Sequence, residues 1–126
     1  MKLTLVSDDT VRYERTPGPL TIEAPSADKE YSAFHMLAGA VANCTYSTVH
    51  SWASNAGVNA DDLAVEVKVI FAEHPHRAGA LDITLFWPSL PAARLEAAKR
   101  AAALCPIHQT LLRAPTITTN VETGKQ

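Results

Sequence analysis

Residues 32 to 56, SAFHMLAGAVANCTYSTVHSWASNA, constrain this chain more than any other stretch. Ser32 is a helix N-cap and Gly57 a C-terminal stop, so the segment between them reads as one helix. About 24 residues give a rod of about 36 Å, long for a chain of 126 residues. Phe34, Leu37, Val41, Thr45, Thr48 and Trp52 follow helical spacing, and Met36 and Ala40 widen the stripe. The first half is therefore apolar around most of its circumference, a pattern that belongs to a helix buried on most sides. One small sheet cannot cover such a helix, so a second copy of the chain is expected to complete the cover. His35, Asn43, His50 and several hydroxyls interrupt the segment, and it lacks the run of about 18 apolar residues that a membrane span needs.

Short strand-like segments flank the helix. Residues 2–7, 10–16 and 20–24 precede it, with Asp8-Asp9 and Gly18-Pro19 as turn residues. After it, residues 63–71 and 80–87 each alternate apolar and polar positions across a turn-rich EHPHRAG connection, which predicts an antiparallel hairpin lying over the helix. Leu63, Val65, Val67, Val69 and Phe71 are expected on one face, as are Leu81, Ile83, Leu85 and Trp87. Ser89 and Pro91 open an alanine-rich helix through Leu104, with Leu95, Ala98, Ala102 and Leu104 inward. Pro106 opens a short helix to about Leu112, and Pro115 precedes a last strand over 116–122. The order is βββ-α-ββ-αα-β in a single domain, 1–126: an α+β fold with a largely antiparallel sheet.

Composition excludes several function classes. Hydrophobic residues make up 47% and charged residues 19%, which is neither a disordered nor a membrane composition. A net charge of −2 gives no basic face for nucleic acid. Two cysteines are too few for a disulfide scaffold, and MKLTLVSDDTVRYER has no apolar signal core, so a cytoplasmic location is expected. In that compartment a cysteine pair that meets in space is more often chemical than structural.

The cysteines sit in unusual places. Cys44 lies mid-helix in VANCTYST, with Ser47 and Thr48 on its face; Cys105 stands directly before Pro106 in LCPIHQTL, as the cap of the short helix, with His108 three residues on. A small buried core residue is the alternative for each. His74, His76, His35, His50 and Cys105-x-x-His108 supply metal-ligand types without a metal-binding spacing, so no metal is expected. His108 is expected to pack beside Cys105, to cap it, or to raise its thiolate fraction.

SAFHMLAGAVANCT, then a GVN break, an EVKV strand, EHPHR, an alanine-rich helix and CPIHQTL together resemble the OsmC/Ohr family, over about residues 10 to 122 and nearer its general OsmC-like branch. The resemblance implies an intertwined homodimer with its two central helices packed together. It also implies thiol-dependent reduction of small organic hydroperoxides without a cofactor. Cys44 matches the peroxidatic cysteine and Cys105 the resolving one, with an external dithiol restoring both. Peroxidase members carry a glutamate ten residues before the first cysteine, which holds an arginine near the thiolate. Here that position is Phe34. His35 or Glu30 could take over part of that role. The arginine would come from the N-terminal strands: Arg12 and Arg15 point to opposite strand faces, and Arg15, nearer the loop, is preferred. The rival expectation keeps fold and cysteines but not efficient catalysis, leaving a binder of small hydrophobic ligands or a thiol redox sensor.

Overall fold

The structure, a computed structural model, describes residues 1–124. Five strands, β1 (Lys2–Leu5), β2 (Thr10–Glu14), β3 (Thr21–Glu23), β4 (Ala64–Ala72) and β5 (Arg77–Phe86), form one sheet in the order β3-β1-β2-β4-β5. All pairings are antiparallel except β1 with β3. The long helix α1 (Ala33–Ala56) lies on one face of the sheet, and α2 (Leu95–Ala103) and α3 (Pro106–Leu112) close its flank. This is the expected α+β architecture.

Local chemistry explains the ends of α1. Ser32 accepts from the His35 backbone N–H, and the His35 ring accepts from the Ser32 N–H at 3.0 Å, a reciprocal cap. Gly57 closes the helix at φ 70°, a conformation glycine adopts without strain.

The face that α1 turns to the sheet differs from the expected stripe. Val41 and Thr45 are buried as expected, but His35, Ala38, Ala42, Tyr46, Val49 and Ala53 are buried too, a row one residue on from the expected stripe, while Phe34, Leu37, Thr48 and Trp52 are only half-buried. Small residues win the sheet side because they permit close approach: a Cβ at Gly39 would stand 3.0 Å from a methyl of Leu3. The larger side chains move to the flanks, Trp52 against Trp87 and Phe34 against Phe71. Ala33, Met36, Ala40, Ser47 and Ser51 stay exposed along the remaining face.

Leu63, Val65, Val67 and Val69 point inward as expected, but Phe71 does not. A bulge between Ile70 and Phe71 leaves Gly79 without a partner in the register and turns Phe71 outward. A Cβ at Gly79 would come within 2.8 Å of the Ala72 Cβ, so the bulge needs glycine there. The alanine-rich helix starts later than expected, at Leu95, after a single 3-10 turn (Ala92–Arg94). It buries Ala98 and Ala101, while Leu95 and Leu104 are exposed. The strand expected over 116–122 does not form: the segment pairs with nothing in the sheet, and Ile117 and Val121 stand in solvent. Among the described residues no helix is long and apolar enough to cross a membrane.

Candidate functional site

Cys44 lies halfway along α1, on the flank that faces α3, and is half-buried. Cys105 caps α3 and is fully buried. Pro106 at the first helical position fixes that turn, because its missing N–H would have had no intrahelical acceptor. The fold brings the two thiols of one chain together, across 61 positions of sequence. Both are free.

Burial pushes the Cys44 thiol above its ordinary pKa, and its hydrogen bond with the Cys105 side chain adds to the shift. Two donors act in the other direction, the backbone N–H of Ile107 and the hydroxyl of Thr48. The Ile107 N–H is available because first-turn amides lack intrahelical acceptors. Thr48 is one helical turn beyond Cys44, a relation visible in the sequence, whereas the Ile107 amide leaves no mark there. No cation is among the groups that shift this thiol.

The two arginines do lie on opposite faces. Arg12 is on the outer face of the sheet, paired with Glu14 at 3.5 Å and Glu66 at 3.7 Å, with its guanidinium over the Phe86 ring. The sheet separates it from α1 and so from the thiols of its own chain. Arg15 follows β2 on the helix side, 3.2 Å from His50 Nε2 and over the ring of Tyr46. His50 points away from Cys44 around α1, so Arg15 does not reach the thiol of its own chain.

Phe34 and His35 also sit apart from the thiols. Phe34 packs edge-on against Phe71 and His76 at the hairpin end, with ring centroids 4.9 and 5.5 Å away. His35 uses both ring nitrogens in structure: Nδ1 accepts from Ser32, and Nε2 donates to the Ser7 carbonyl at 2.9 Å. It has no free position for a ligand. Glu30 is exposed in the loop before α1. His108 stands on α3, three residues after Cys105. It lines two apolar clefts that meet at Ile83 and at its own ring. One, of about 390 Å³, runs between Leu37 and Val41 of α1, Leu81 of β5 and Leu111 of α3. The other, of about 540 Å³, lies between β5 and α2. The Nδ1 of His108 is buried without a hydrogen-bond partner. Among the described residues no three His, Cys, Asp or Glu side chains gather to hold a metal ion.

The family model for OsmC-like protein matches residues 26–120, a span that contains α1, both cysteines and α3. The chain belongs to the OsmC-like family. A crystal structure of a protein from Psychrobacter arcticus 273-4, described as an osmotic stress induced and detoxification response protein, superposes with a TM-score of 0.60 at 19% identity. The alignment covers 67% of this chain and 62% of that one, less than two thirds of that chain's length, so the likeness is one of fold. No curated protein matches the chain. The OsmC-like family includes peroxiredoxin-type hydroperoxide reductases.

Proposed function

We propose that this OsmC-like chain reduces small organic hydroperoxides through Cys44 and Cys105, as a homodimer in the reducing environment of the cytoplasm. The observation that carries the proposal is the meeting of the two thiols within one chain, one half-open and one enclosed. The half-open thiol is the one a substrate can reach. As thiolate, Cys44 attacks the outer peroxide oxygen; the O–O bond breaks, the alcohol leaves with a proton, and Cys44 becomes a sulfenic acid. Cys105 then attacks that sulfur, hydroxide leaves as water, and a Cys44–Cys105 disulfide remains. An external dithiol restores both thiols by exchange.

The open face of α1 supports the dimer. Met36 and Ala40 remain exposed there, beside the half-buried thiol. Arg15 is exposed and forms no ion pair with a carboxylate among the described residues. Turnover with cumene hydroperoxide and with hydrogen peroxide, under an excess of dithiol, tests the activity. Wild type should consume the organic peroxide faster, Cys44→Ser should be inactive, and Cys105→Ser, assayed without the dithiol, should consume one equivalent and leave Cys44 as sulfenic acid. Unchanged peroxide in all three would reject the reductase. One observation favours a second reading: a thiol with a raised pKa and no cation beside it, next to two apolar clefts, suits a hydrophobic-ligand binder or slow thiol sensor.

A further inference from the structure

The chain uses one cap pattern twice, with different outcomes. In Ser32-x-x-His35 the histidine at the third helical position of α1 reaches back, and its Nδ1 accepts from the cap residue at 3.0 Å. Cys105-x-x-His108 repeats the spacing at α3, with cysteine as cap. There the cap N–H donates instead to the Ala102 carbonyl at 3.3 Å, and His108 Nδ1 is left buried without a partner. A side chain at this position leans toward the helix start, and Nδ1 is the ring nitrogen nearer the backbone. A buried ring nitrogen with no partner among the described residues is costly, so one retained three residues after Cys105, on the helix that Cys105 caps, calls for a function.

Cys105 supplies the need. Its side chain is fully buried, so bulk water cannot take its proton when it must attack Cys44. We infer that His108 Nδ1 is the proton acceptor for Cys105 in the step that closes the disulfide. The inference rests on the two-thiol reading above and names a residue for its second half. In the tautomer with hydrogen on Nε2, Nδ1 takes the Cys105 proton as the imidazole turns about its side-chain bonds. The Cys105 sulfur then donates its electron pair to the Cys44 sulfur, and the S–O bond of the sulfenic acid breaks. The imidazolium returns its proton to the departing hydroxide, giving water. The surroundings leave this work to His108: Lys99 of α2 lines the same cleft and is a donor only, β5 presents Ile83 and Leu81, and α1 presents Cys44 itself with Leu37 and Val41.

The test needs no peroxide. Dithiobis(nitrobenzoate) reacts with Cys44 to release one coloured thiolate, and attack by Cys105 on the mixed disulfide releases a second. The second release isolates the resolving step. In wild type the second release should already be fast at neutral pH. In His108→Asn and His108→Gln the first release should be unchanged. The second should slow by about tenfold or more near neutral pH and recover only as the solution is made alkaline. Equal second-phase rates and profiles in all three proteins would overturn the inference. So would a wild-type profile that climbs only through the thiol range, a result that requires no variant to fold. A wild type that never releases the second thiolate overturns it as well, since Cys105 then does not resolve. Failure to consume peroxide, with a histidine-dependent second release intact, rejects the reductase and leaves the proton acceptor standing.

Discussion

At the residue scale, the site turns on how Cys44 is held. Burial and the Cys105 thiol keep its proton on, and only a backbone amide and the Thr48 hydroxyl favour its release. Alkylation of Cys44 should therefore be slow at neutral pH and accelerate with a midpoint above the ordinary thiol range. Cys105→Ala removes a raising influence and should move that midpoint down; a midpoint unmoved or higher would mean that Cys105 does not restrain the proton. Phe34 belongs to a different account. Phe34→Ala strips an edge-on contact with Phe71 and His76 and should cost about 1–2 kcal/mol by denaturant unfolding, with Cys44 alkylation unchanged. A clear change in the alkylation profile would place Phe34 back at the thiols. The cysteine pair and the split of Arg12 from Arg15 were legible in the sequence, because a proline-fixed cap and strand alternation are local signals. The surroundings of Phe34 and His35 were not. Their partners, Phe71 and Ser7, come from strands whose bulge and turn set positions that no helical spacing encodes.

At the scale of elements, the extent of α1 follows from its caps, but its rotation follows from what it packs against. Ser32→Ala removes the cap acceptor but keeps the backbone N–H that donates to the His35 ring, and should cost about 1 kcal/mol. The bulge of β5 is more sensitive. Gly79→Ala drives a Cβ onto Ala72 at 2.8 Å and should cost about 1–3 kcal/mol, read as a lower urea midpoint at unchanged slope. The seam between β2 and α1 sets the alkaline limit. Tyr13 and Tyr46 pack there with their rings tilted and centroids 5.2 Å apart, and burial raises both phenols above their ordinary pKa, with Arg15 opposing the shift. The folded chain thus holds protons that the unfolded chain releases. Stability from these groups is complete below about pH 10 and falls as pH rises through and beyond that value. Tyr46→Phe should flatten the alkaline decline; an unchanged decline would assign it elsewhere.

At the scale of the whole molecule, and among the described residues, the open face of α1, the outer edge of β5, and the alternating Ile117, Thr119 and Val121 of the C-terminal segment have no covering element. The strand pattern of 116–122 was read from alternation alone, which reports that a segment suits a sheet and not whose sheet it joins. In a dimer seated on α1, that segment has the β5 edge of the other copy to pair with. Sedimentation should show a dimer at micromolar concentration, and truncation after Pro115 should weaken it; a stable folded monomer would remove the dimer. The central claim, that the two thiols form one redox site, is tested most directly by a single turnover. Reduced protein mixed with one equivalent of cumene hydroperoxide, quenched and digested without reductant, is mapped by mass spectrometry. The expected result is an intrachain Cys44–Cys105 peptide with an equivalent of cumyl alcohol. Two free thiols beside unconsumed peroxide, or disulfides only between chains, would contradict it.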